Sequence, residues 1–226
     1  MAQAVAQVSE SPSRTGVKIA VVVWVITAVF YFYQYAMRSA PAVMMPELSD
    51  AFGISAVGVA SIVGLFYYGY SPFSLVAGAA MDRFGPRRLV PFAAMTVGIG
   101  ALLFATANPQ VASVGRFLQG AGGVFALVGA IYVASKNFPA SQAATLIGAT
   151  QMFGMAGGSA GQFVVGPMIA GGVGWNYFWI GMGVLGLLIG IALFLLIPSE
   201  KAPAAANASG GGLKEVARAF AIVFKN

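Results

Sequence analysis

The stretch GAAMDRFGPRR, residues 78–88, gathers Asp82, Arg83, Arg87 and Arg88 into a single short segment. Charged residues make up only 8% of the 226-residue chain, and residues 51–81, immediately before Asp82, carry no charge at all. A soluble domain carries about a quarter charged residues. Here apolar residues reach 59% and the mean hydropathy is +0.84. The composition therefore describes a membrane protein, and the charged stretch marks a point where the chain leaves the bilayer.

Outward from that point, charges and turns cut the chain into runs of the roughly 20 apolar residues that a membrane helix needs. Residues 19–37 supply a first span, extended by 38–43. Residues 51–81 supply a second, helical from about Ala56. Residues 89–115 hold a third, ending near Ala107, because Asn108-Pro109-Gln110 reads as a tight turn. The fourth runs from 111 to 135 and contains Arg116. Residues 137–199 are uncharged and too long for one span, and Gly171-Gly172-Val173-Gly174 divides them into a fifth helix, 143–170, and a sixth, 175–197. The reading is an all-α integral membrane bundle of six transmembrane helices at 18–198. It is preceded by a cytoplasmic tail at 1–17 and followed by a cytoplasmic segment at 199–226. Within that last segment, residues 202–212 form a linker. Leu213, Val216, Ala217, Phe220 and Phe224 share one face of an amphipathic helix at the membrane surface. Continuous apolar runs exclude a β-barrel, whose strands alternate with period two.

Lysine and arginine set the orientation. With both termini cytoplasmic, the inner segments hold Arg14, Lys18, Arg83, Arg87, Arg88, Lys136, Lys201, Lys214, Arg218 and Lys225. The outer loops hold only the acids Glu47 and Asp50. The net charge of +6 thus reports topology and contact with anionic inner-leaflet lipid, not nucleic acid. The first apolar run is too long for a signal peptide and lacks a cleavage site, so it stays in the membrane. Thirty glycines suit close helix packing. Cysteine and histidine are both absent, which excludes disulfides, thiol chemistry and the usual transition-metal ligand sets. No nucleophile–base pair or phosphate loop is visible, so the reading is of a non-enzyme without a cofactor.

Asp82 ends the second helix, where the backbone dipole is already negative, and so needs a cationic or helix-N-terminal partner. Arg87 and Arg88 open the third helix, the unfavourable end for cations, which lipid phosphates can offset. Gly85 permits the turn, Pro86 stiffens it, and Gly78 allows another backbone to approach. The pattern Gly78-x-x-x-Asp82-Arg83-x-Gly85-x-Arg87-Arg88 resembles the loop between helices two and three of the major facilitator superfamily, with Pro86 in place of the usual basic residue. Arg116-Phe-Leu-Gln119-Gly120-Ala-Gly122 resembles that superfamily's Arg-x-x-Gln-Gly signature in helix four. Gly166-Pro167 near Gly171-Gly172 resembles its fifth-helix pattern, with one extra residue and Gln162 where a glycine leads.

The resemblance implies the first half of a twelve-helix secondary transporter, built from two inverted three-helix repeats and working by alternating access in a bacterial cytoplasmic (inner) membrane. It also implies that Gly78, Asp82, Arg83, Gly85, Arg87 and Arg88 form a cytoplasmic gate. That gate closes against the other half in the outward-open state. The missing half would be a second six-helix unit or a second copy of this chain.

Polar groups inside a bilayer face the bundle interior or water. Tyr31, Gln34, Tyr35 and Arg38 fall on one face of helix one, and Tyr67, Tyr70, Ser71 and Ser74 repeat that spacing in helix two. Arg116 and Gln119 share a face in helix four, and Gln151 adds an amide in helix five. Arg38 and Arg116 come at similar depth in the outer half. No carboxylate lies in any hydrophobic core, so two guanidinium groups on one cavity point to a small anionic solute. Tyr35-x-x-Arg38 followed by Ala40-Pro41 is loosely similar to the superfamily's organic-anion branches. The substrate-binding candidates are Arg38, Arg116, Tyr31, Gln34, Tyr35, Gln119 and Gln151. The alternatives are that Arg116 bonds backbone carbonyls and that Arg38 pairs with Glu47. The rows Gly154/Gly158 and Gly186/Gly190 read as packing, and Tyr177 as an interfacial residue. At the level of the whole chain, the competing reading is a non-transporting six-helix scaffold or sensor, or a nonfunctional fragment.

Overall fold

The structure, a computed structural model, describes residues 14–197, with side chains from Lys18 onward. The linker and amphipathic helix expected within 199–226, and most of the expected N-terminal tail, lie outside the described residues. Among the described residues every regular element is helical. The order is α1 (Arg14–Ser39), a 3-10 turn (Ala40–Val43), α2 (Met45–Phe52), α3 (Ala56–Phe84), α4 (Pro86–Phe104), α5 (Pro109–Asn137), α6 (Ala140–Phe163), α7 (Val165–Ala170) and α8 (Trp175–Leu196). Helices α1, α3, α4, α5 and α8 are long and apolar enough to cross a membrane, and α6 with α7 completes a sixth rod.

Local chemistry explains the boundaries. The Ser55 hydroxyl accepts from the Gly58 N–H at 3.3 Å and caps α3. Gly85 ends that helix at φ +74, and Pro86 opens α4 at the position where a missing N–H costs nothing. The tight turn at Asn108-Pro109 is also a helix start. Asn108 Oδ1 accepts from the N–H groups of Gln110 (3.0 Å) and Val111 (3.1 Å), with Pro109 in the first turn.

Two elements differ from the sequence reading. The segment carrying Glu47 and Asp50, expected as an outer loop, contains α2. Leu48 and Phe52, one turn apart, are buried, and the Phe52 ring meets Phe104 and Trp175 edge-on, each at 5.8 Å. The fifth helix, expected unbroken over 143–170, changes register at Val164. Pro167 has no N–H to give the carbonyl of Phe163, so α6 ends there and α7 begins.

The packing follows an inverted repeat of α1–α3–α4 on α5–α6–α8. Helix α3 packs on α5 and α1 packs on α6, pairs that correspond in such a repeat, whereas α4 packs far more closely on α5 than its counterpart α8 does on α1. The α4–α8 and α1–α5 contacts map onto themselves. Backbones meet directly at these seams. A Cβ on Gly100 of α4 would sit 2.6 Å from the Gly115 carbonyl oxygen of α5. One on Gly120 of α5 would fall on the Phe66 carbonyl of α3, and one on Gly157 of α6 on the Phe32 carbonyl of α1. Gly154 lies against the Tyr31 ring and Gly186 against the Tyr33 hydroxyl. Coverage is uneven: in the most apolar stretch of α5, 67% of residues are buried, against 22% in α3.

Candidate functional site

Arg38 ends the last full turn of α1 and is half-buried. Its guanidinium carbon lies 5.1 Å from the ring centres of both Tyr35 and Tyr67 and 5.7 Å from that of Phe66. Nη2 donates to the Tyr67 hydroxyl at 3.3 Å. The aromatic faces favour a cation between them. Arg38 has no carboxylate partner among the described residues. Glu47, offered by the sequence as its partner, instead holds a buried Oε2 with no hydrogen bond. Arg38 lines a cavity of about 630 Å³ between α1, α3 and α6. Tyr35, Ser39, Tyr67 and Gln162 give this cavity further polar groups, and Ala42, Met45, Ala60 and Val63 give it apolar wall.

Arg116 is in a different setting. It is 1% exposed and does not reach that cavity, so the two guanidinium groups do not face one space in this structure. Its Nη1 donates to Gln119 Oε1 at 2.6 Å and to the Met37 carbonyl at 3.3 Å, and its guanidinium carbon lies 5.3 Å from Phe66 and 5.7 Å from Phe104. The helical spacing that put Arg116 and Gln119 on one face is observed, but that face is covered by α1, α3 and α4. The two arginines do share depth, since both lie within 6 Å of the Phe66 ring centre. Gln34 and Gln119 are each 1% exposed. Both side-chain polar atoms of Gln34, Gln119 Nε2 and Arg116 Nε have no hydrogen-bond partner among the described residues.

Tyr31 is buried and donates to Gln151 Oε1 at 3.0 Å, while Gln151 itself is exposed. The Tyr31 ring meets Tyr35 edge-on at 4.8 Å, which ties this pair to the Arg38 wall. On α3, Tyr70 stacks on Phe66 at 5.8 Å. Ser71 and Ser74 are exposed, and Ser74 Oγ donates to the Ser71 carbonyl at 2.7 Å. Residues of the Arg38 surroundings that the sequence reading did not place in the site include Ser39, Gly64, Phe66 and Gln162. Gln162 had a signal, since it stands where the superfamily pattern places glycine. Phe66 had none, being one apolar residue in an apolar run.

At the opposite end of the bundle, Asp82, Arg83 and Arg88 are exposed and Arg87 is half-exposed. The Arg83 guanidinium carbon lies 5.5 Å from the Phe84 ring centre. Asp82 has no side-chain partner among the described residues. A Cβ on Gly78 would meet no heavy atom within 4 Å, so nothing in the described chain occupies the space beside it. The charged hinge is formed, and its outward face is free.

Six membrane-length rods, with an arginine on a cavity at one end and a charged hinge at the other, make a multi-pass membrane bundle. The sequence profile of the Major Facilitator Superfamily matches residues 27–226, and the chain belongs to that superfamily. It is 29% identical over 171 residues to the hexuronate transporter of Bacillus subtilis, covering 74% of this chain and 39% of that protein. It is 24% identical over 163 residues to a probable sulfoacetate transporter of Cupriavidus necator, covering 72% and 38%. It is also 24% identical over 178 residues to a quinolone resistance transporter of Acinetobacter baumannii, covering 76% and 41%. The chain thus spans about two fifths of the length of these relatives.

Proposed function

We propose that this chain is the N-terminal six-helix half of a secondary transporter that carries a small organic anion by alternating access. The observation that carries this reading is Arg38: a half-buried guanidinium framed by three aromatic rings, on a cavity, with no carboxylate partner among the described residues. A permanent cation held this way is ready to accept a planar carboxylate or a sulfonate through paired N–H donors. Two of the relatives, a hexuronate transporter and a probable sulfoacetate transporter, are named for anionic solutes and support the same class. Arg116, behind Phe66, adds positive charge to the field and holds α5 to α1. Gln34, Tyr31, Gln119 and Gln151 then support the site from within the bundle, and Tyr35 forms its wall.

A six-helix partner completes the protein, meeting the exposed face of α3 and closing on Asp82 and Arg83 at the cytoplasmic end. The membrane is the bacterial inner membrane, with both termini cytoplasmic. Orientation is read with single cysteines in this cysteine-free chain. Asp50→Cys and Val173→Cys should react with an impermeant thiol reagent from outside, and Arg88→Cys and Ser141→Cys only from inside. Function is read by uptake of glucuronate or sulfoacetate into vesicles holding the chain with a complementary half. Arg38→Lys should weaken uptake and Arg38→Gln weaken it further. Equal uptake by all three proteins would end the anion reading.

A further inference from the structure

Ala60, Val63, Gly64 and Tyr67 recur at helical spacing along α3 and form one wall of the Arg38 cavity. The next glycine on this helix, Gly69, is a packing residue: a Cβ there would fall on the Phe117 carbonyl of α5. Gly64 is not. A Cβ at 64 would meet no heavy atom within 4 Å, and its backbone is not among the positive-φ positions that demand glycine. Glycine weakens a helix relative to alanine, and at 64 neither packing nor backbone geometry among the described residues accounts for it. The space it leaves belongs to the cavity. Across that space lie Arg38 and Tyr67, which hold a charge, and Gln162 of α6, which offers both a donor and an acceptor.

We propose that Gly64 sets the size of solute admitted beside Arg38. The anionic end of the solute sits on the Arg38–Tyr67 edge, its body lies in the volume that a side chain at 64 would fill, and Gln162 bonds a polar group on that body. The cavity then admits bulky anions as well as small ones, and larger residues at 64 convert it to one that takes only small anions. The proposal takes the anionic charge of the solute from the reading above. The size filter itself comes from the geometry at 64.

The test uses the full chain in membranes, with Ala60→Cys as its one thiol. Three reagents serve as probes: 2-sulfonatoethyl methanethiosulfonate (small anion), its trimethylammonium counterpart (small cation), and a stilbene-disulfonate maleimide (bulky anion). Adding Gly64→Leu should slow the bulky reagent by about tenfold or more, because the new side chain takes up the open volume that the reagent must cross, and a tenfold change corresponds to about 1.4 kcal/mol. The small anionic reagent should be nearly unchanged, and an unfolding temperature equal to that of the Ala60→Cys parent shows that the variant is folded. Gly64→Ala should fall between. Gly181→Leu, at an exposed glycine on α8 with equally open surroundings, should alter neither rate. Equal slowing of both reagents, or of neither, overturns the size filter. The charge reading is tested separately: with each rate divided by that of a free thiol in solution, the small anion should outpace the small cation, and Arg38→Gln should erase that preference. Loss of this arm alone removes the anion and leaves the size filter standing.

Discussion

Arg38 and Arg116 are the same residue at the same depth, and their guanidinium carbons approach the ring of Phe66 to 5.7 Å and 5.3 Å. Their surroundings divide them. Arg116 is enclosed, and its partners are a side chain one helical turn away and a backbone carbonyl of α1. Arg38 has a phenol and ring faces, and its remaining donors open on a cavity. A charge satisfied by its own protein holds structure together. A charge left on a cavity is available to a solute. The difference lies in how many helices cover each position: α5 is packed on by α1, α3, α4 and α6, whereas the end of α1 beside α3 is left open.

The largest effect that could break this comparison is on stability. Arg116→Ala leaves the Gln119 carbonyl and the Met37 carbonyl without their donor and opens a void, which should cost about 3 kcal/mol. The check is thermal unfolding of the purified chain. Next comes Arg38→Gln, which removes one charged donor set and should raise the dissociation constant for an anion by about tenfold or more. The unfolding temperature should scarcely move. Phe66→Leu sharpens the comparison because the ring serves both arginines. It should cost about 1 kcal/mol in stability and weaken anion binding several-fold, as loss of cation–π contacts predicts. Smallest is Asp82→Asn, at an exposed side chain without a partner among the described residues. Unfolding of the isolated chain should shift by less than about 0.5 kcal/mol. Closure of the cytoplasmic gate in an assembled transporter should still weaken, as measured by accessibility of the cavity from the inner side.

Much of the fold was legible because a membrane protein writes its spans in its charges. Residues 51–81 and 137–199 could be bounded by eye, and the helices of the structure begin and end near those bounds. What was missed has a physical reason in each case. Helix α2 is too short to show a periodicity, and its two buried residues, Leu48 and Phe52, sit among polar neighbours in a connecting segment. The break at Val164 follows from Pro167, whose effect falls a full turn upstream of the proline itself.

The site was less legible. Spacing correctly grouped Arg116 with Gln119, but periodicity says which residues share a face and not what covers that face. In a soluble helix the polar stripe marks water. In α5 the polar pair Arg116 and Gln119 faces neighbouring helices instead of water. The cavity position of Arg38 likewise depends on α3 and α6, which lie elsewhere in the chain.

One measurement tests the division between the two arginines most directly. Arg38→Gln and Arg116→Gln are each assayed for the unfolding temperature of the ligand-free chain and for the rise in that temperature on adding glucuronate to the protein assembled with its complementary half. The account predicts a crossed result. Arg38→Gln keeps the ligand-free temperature and loses the glucuronate-induced rise, while Arg116→Gln lowers the ligand-free temperature and retains a rise. The reverse pattern, or an Arg38→Gln protein that glucuronate still stabilises fully, would contradict it.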